Sequence, residues 1–234
     1  MRDEATCDTF AGSIQTAMLK PSYAGPEVRR MVVDTDVVVD ALCRVGRPII
    51  LRYASPDSCI ASCRIGMDVL RMFGIRSHPI AVKAAVFNQK GHEFMDSGHP
   101  DWVRQGRDGA HSVGIGYGGP DPRKWDGHLV LLVRGRLLLD LSIDQAARPD
   151  KGIYLHAFRT VLPTGFLEQG SGLVVQNPEG GTISYELNLG NRSWKFAPDW
   201  REGRWDDVTH LVTVAVRQRL KEMAVKPLQT KVVK

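Results

Sequence analysis

The chain has 234 residues, enough to bury a full core as one domain with an appended subdomain, and its 43% hydrophobic and 24% charged content is that of an ordinary globular protein. No apolar run reaches the roughly 18–20 residues needed to span a bilayer, and Arg2, Asp3, Glu4 and Asp8 interrupt any export-signal core at the N-terminus. The net charge of +5 is mild and partly carried by Lys226, Lys231 and Lys234, and the basic residues do not gather around aromatic ones, which argues against nucleic-acid and membrane partners.

Residues 1–47 read as an N-terminal helical segment. A short helix is expected over 11–19, and Pro26 opens a longer one running to about Val45, with Gly46 as its stop. Val28, Met31, Val32, Val38, Val39 and Leu42 make its buried face. Pro48 to Tyr53 then reads as an extended approach to the next element.

That element is the helix from Pro56 to Gly74. Asp57 or Ser58 can cap its free N–H groups, and Gly74 suits a left-handed stop. Ile60, Cys63, Met67 and Leu70 recur at helical spacing and define one buried face. Cys59 falls in the first turn, where unsatisfied N–H groups and the positive end of the dipole favour a thiolate. Cys63, one turn on and within the apolar stripe, reads as a small buried hydrophobe.

Ile80 to Phe87 is a predicted strand. Residues 88–127 are rich in glycine, histidine and proline, with only Ser112 to Gly116 as a strand, and read as a long polar loop covering a substrate. Two apolar runs then flank Arg134-Gly135 as a hairpin. A two-residue loop pairs His128 with Leu141 and turns Asp140 to the other face. A three-residue loop over Val133-Arg134-Gly135 puts Gly135 at the left-handed position, pairs Leu132 with Arg136, and sets His128 directly opposite Asp140. The glycine position favours the second register. Beyond it, Ile153–Leu162 is a predicted strand, Leu173–Gln176 and Thr182–Leu189 form a second hairpin, and Asp206 or Asp207 caps a closing helix to about Met223 with Leu211, Ala215 and Leu220 inward.

A cysteine opening a helix, a histidine starting one strand and an aspartate ending the next resembles the transglutaminase-like branch of the papain-type cysteine enzymes, over roughly residues 48 to 150. The resemblance implies an α+β fold, with a cysteine helix packed on an antiparallel sheet, and a catalytic domain over 48–224 followed by a basic tail, 225–234. It implies acyl transfer through a thioester on an amide of a protein, peptide or small molecule, with Cys59 as nucleophile, His128 as base and Asp140 as its orienting partner, and without a cofactor. The oxyanion would be held by the Cys59 backbone N–H and a second donor, for which Tyr53 is the candidate. Hydrolysis is favoured over amine transfer because the 88–127 loop is hydrophilic.

Two other readings compete. The first is a transglutaminase-like core used for binding without catalysis. The second is a zinc site on Cys59 and Cys63, although His92, Asp96, His99 and Asp101 supply ligand types without a metal-binding spacing. The four cysteines, at 7, 43, 59 and 63, are expected as free thiols in a cytoplasmic protein.

Overall fold

The structure, a computed structural model, describes residues 34–117, 125–170, 172–177 and 180–229, with side chains as far as 224. The helix expected over 11–19, the opening of the next helix at Pro26, its buried residues Val28, Met31 and Val32, and Cys7 lie outside the described residues.

Helix α1, Thr35–Ile50, is capped by Asp34, whose carboxylate accepts from the Asp36 N–H at 2.9 Å. It does not stop at Gly46. The missing side chain there serves helix packing, since a Cβ would meet Leu42 Cδ1 at 2.8 Å and Val212 Cγ1 at 3.5 Å. The helix runs on through Pro48, which gives up one hydrogen bond in the last turn, and the Leu51 N–H closes on the Arg47 carbonyl at 3.0 Å. The extended approach expected at Pro48–Tyr53 is therefore a helix end and a turn, and α1 runs across positions 47 and 48.

Helix α2, Cys59–Met72, ends as its sequence implies, with Gly74 at φ +70° and the Ile75 N–H on the Leu70 carbonyl. Strand β1, Ser77–Phe87, follows. Residues 88–111 are then a folded insertion and not an open loop: α3, Gln89–Asp96, α4, Pro100–Arg104, and a single 3-10 turn. Asn88 organises it. Its side-chain oxygen accepts from the Gly91 and His111 N–H groups, and its amide donates to the Gly109 and Lys151 carbonyls. Phe94, Val103 and Ala110 bury against Phe87 and Trp102 as a small separate core. Polar composition concealed this because one asparagine satisfies so much of the backbone.

The remaining strands are β2, Ser112–Ile115, β3, His128–Val133, β4, Leu137–Asp140, β5, Phe158–Val161, β6, Leu173–Gln176, and β7, Thr182–Leu187. Helix α5, Phe166–Gln169, lies between β5 and β6, and α6, Asp206–Gln229, closes the chain. Among the described residues the strands form one antiparallel sheet in the order β5-β4-β3-β1-β7-β6, with β2 on β1 beyond the end of β3. The fold is thus mixed α+β with an antiparallel sheet.

Both faces of that sheet are covered, which is why every residue of β3 and β4 is buried. Leu129, Leu131, Leu137 and Leu139 face α1, α2 and α6. Val130, Leu132, Leu138 and Tyr185 face the other way, against Ile143, Ile153, Leu155 and Phe166. The inward stripe of α6 is Val208, Val212 and Val216, with Leu220 partly buried; Leu211, expected inward, is 42% exposed because it lies one position round the helix from that stripe. No helix among the described residues is long and apolar enough to cross a membrane.

Candidate active site

The hairpin of β3 and β4 carries the first two residues of the site. Arg134 and Gly135 both have positive φ, +49° and +70°, and the Arg136 N–H closes on the Val133 carbonyl at 3.1 Å. Leu132 pairs with Leu138, not with Arg136, so the register lies two residues from the expected one. The turn excludes Arg136 from the ladder as well as Arg134 and Gly135. An even displacement keeps every side chain on its face. His128 and Asp140 therefore still share a face, and their side chains meet with His128 Nε2 2.6 Å from Asp140 Oδ2.

Asp140 is fully buried and fully engaged. Its Oδ2 also accepts from the Tyr185 hydroxyl at 2.8 Å, and its Oδ1 accepts from the Ser142 N–H at 3.0 Å. Tyr185 reaches it from β7, which pairs with β1 on the far side of β3. Burial, and then the carboxylate, push the Tyr185 hydroxyl well above its ordinary value, so it remains a donor.

Cys59 is the first residue of α2 and is 3% exposed. Ser58 stands at the cap position without capping: its hydroxyl donates to the Ser55 carbonyl at 2.6 Å, and no acidic side chain lies in the first turn. The helix end is left positive where the sulfur sits. Cys59 is one of the groups that favour charge on His128. Burial of the imidazole works against its charge, but Asp140 and Cys59 outweigh burial and raise its pKa from 6.5 to about 10. The shift favours the charged form of the ring.

Three further residues complete the site, none of them anticipated from the sequence. The Trp125 indole N–H donates to Cys59 Sγ at 3.4 Å. Its ring folds over Gly127, where a Cβ would stand 2.9 Å from the indole. The side-chain amide of Gln145 lies 2.8 Å from His128 Nδ1. Arg47, on α1 and only 4% exposed, contacts both Asp144 carboxylate oxygens from Nε at 2.8 and 3.0 Å, and donates to Ser62 Oγ at 2.9 Å and the Pro56 carbonyl at 2.7 Å. Trp125 and Gln145 lie three residues before His128 and five after Asp140, so a search for donors flanking the motif would have found them. Nothing local marks Arg47.

The two expected oxyanion donors, the Cys59 N–H and Tyr53, lie as follows. The Cys59 N–H is taken by the Asp57 carbonyl at 3.1 Å, and Tyr53 is 55% exposed in the turn after α1. Trp125 is the donor at the sulfur instead. Cys63 turns its thiol onto the Leu129 carbonyl at 3.0 Å, and burial holds its pKa well above the ordinary thiol value. Cys43, Cys59 and Cys63 are free thiols. His92 pairs with Asp96, His99 stacks on Trp102, and Asp101 pairs with Arg104. Among the described residues no group of three or more His, Cys, Asp or Glu side chains could hold a metal ion. Comparison of the chain with protein-family models, with curated proteins and with solved structures finds no match.

Proposed function

We propose that this chain is a transglutaminase-like cysteine enzyme that cleaves an amide through a thioester. The observation that carries the reading is the buried His128–Asp140 pair together with a cysteine at an uncapped helix N-terminus, which favours charge on that histidine. Those are the parts an acyl-transfer nucleophile needs: an activated sulfur, a proton carrier and a fixed tautomer.

In the acylation step, Cys59 Sγ attacks the carbonyl carbon. As the C–N bond breaks, His128 gives its Nδ1 proton to the leaving amine. In the second step neutral His128 takes a proton from water, the oxygen attacks the thioester and the C–S bond breaks. Acid is released, with the thiolate–imidazolium pair restored. The Trp125 N–H, already directed at the sulfur, is the donor nearest to the oxyanion that forms on the carbon bonded to it. Residues 88–111 of the hydrophilic stretch that favoured water over an amine acceptor are a folded insertion, and the chase described below identifies the acceptor.

One observation favours a non-catalytic core instead: Cys59 is covered, with Trp125 on its sulfur. Iodoacetamide labelling, mapped by mass spectrometry, decides between the two. Fast labelling at Cys59 that His128→Ala slows supports the enzyme, and a Cys59 that reacts no faster than a model thiol overturns it. Incubation with an activated acyl ester, then a chase with buffer alone or with a primary amine, identifies the acceptor.

A further inference from the structure

We infer that Gln145 is a positioning residue that grips His128 at Nδ1, as Asp140 grips it at Nε2, and so fixes the orientation of the imidazole at the start of β3. The inference rests on the acyl-transfer reading of Cys59, His128 and Asp140. An imidazole bonded at one nitrogen alone can swing about that bond. Here Nε2 lies 2.6 Å from Asp140 and Nδ1 lies 2.8 Å from the Gln145 amide, so both ends of the ring are held.

The amide is suited to a ring that changes charge during turnover. Its NH2 end donates to Nδ1 when the imidazole is neutral, and its oxygen end accepts from Nδ1–H when the ring is protonated. A half-turn of the amide exchanges the two, so Gln145 holds the ring before and after a proton transfer and releases Nδ1 for the transfer itself. A carboxylate in that place would bind only the protonated ring, and a hydrocarbon would bind neither.

Gln145 is itself held firmly. It lies in the 3-10 turn Ile143–Ala146, whose Ile143 and Ala146 are fully buried, and its own N–H bonds the Ser142 carbonyl at 3.2 Å. Next to it, Asp144 is fastened to Arg47, and the same guanidinium bonds the Pro56 carbonyl ahead of Cys59 and Ser62 on α2. One buried cation therefore fixes the Gln145 turn relative to the helix that carries the nucleophile.

The test compares the full chain with Gln145→Ala, Gln145→Asn and Gln145→Glu. The ionisable groups facing His128 are Cys59 from α2 and Asp140 from β4, with Tyr185 from β7 behind Asp140, and all stay in place. Two readouts are used: the His128 imidazole 15N resonances against pH, which need no reactive cysteine, and the rate of Cys59 labelling by iodoacetamide. Expected is a shifted Nδ1 resonance in every variant, with the His128 titration displaced upward in Gln145→Glu. Labelling should fall about 10²-fold in Gln145→Ala, the scale of a small misplacement of a reacting group. If Gln145→Ala fails to fold, Gln145→Glu, close to it in size, carries the test alone. An Nδ1 resonance and titration unchanged by Gln145→Glu overturns the proposal. A wild-type Cys59 that is inert while Nδ1 responds to Gln145 overturns the acyl-transfer reading and leaves the grip on the ring standing.

Discussion

His128 and Asp140 meet on a diagonal. Leu131 pairs with Leu139, so Asp140 falls opposite Val130, yet its Oδ2 lies 2.6 Å from His128 Nε2. Diagonal neighbours on one face of a sheet are roughly 7–8 Å apart, within reach only of long side chains. Imidazole has that length. The contact depends on the face the two residues share and not on the pair of strand positions they occupy.

The charge of this pair makes stability depend on pH in a defined direction. His128 has its folded-state pKa raised from 6.5 to about 10. A folded state that holds the proton more tightly is favoured while the ring is charged, so the stabilisation is fully present below about pH 6.5 and is lost as pH rises through about 10. Urea midpoints of the wild type should fall relative to those of His128→Gln across that window. Parallel curves for the two proteins would mean that His128 is not charged in the fold.

The two cysteines of α2 should behave oppositely. Cys59→Ala should abolish thioester formation, since no other nucleophile replaces the sulfur. Cys63→Ala loses a buried bond to the Leu129 carbonyl and should cost about 1–2 kcal/mol of stability with labelling of Cys59 unchanged. Mass mapping after denaturant titration of both variants checks this, and activity in Cys59→Ala would move the chemistry elsewhere.

Tyr185→Phe removes one of three donors on Asp140. A buried carboxylate left short of a partner should destabilise the fold by about 1–3 kcal/mol. The His128 contact remains, so acylation should persist at a reduced rate. Thermal melts beside acylation kinetics measure both; unaltered stability would place water where the hydroxyl had been.

Trp125→Phe keeps a ring over Gly127 and deletes the N–H on the sulfur. If that donor follows the charge onto the oxyanion, kcat/KM should drop about 10²-fold, the scale of one such donor. A rate that rises instead would identify the indole as a cover that hinders access.

The residues of the proposed triad were legible because each is marked locally: Cys59 by a helix start, His128 and Asp140 by the ends of two apolar runs that flank a glycine-containing turn. Its supports were not. Tyr185 comes from a strand 45 residues beyond Asp140, brought near only when β7 pairs with β1. The continuation of α1 past Gly46 is decided by contact with Leu42 and Val212, which no window of sequence contains. The register differs by two residues because the turn leaves Arg136 out of the ladder as well as Arg134 and Gly135. Local pattern reports face and parity; partners distant along the chain report depth and hold.

Arg47 carries a consequence for how this site can be moved or inherited. The motif-bearing stretch begins at about residue 48, one position after the guanidinium that bonds the Cys59 approach, α2 and the Gln145 turn together. Those three pieces are neighbours in space through an anchor that lies upstream of all of them. A segment transplanted from residue 48 onward would carry Cys59, His128 and Asp140 without the Arg47 cation that ties their supports together. The working unit is thus not a portable cassette, and any minimal fragment that retains the chemistry has to begin before α1.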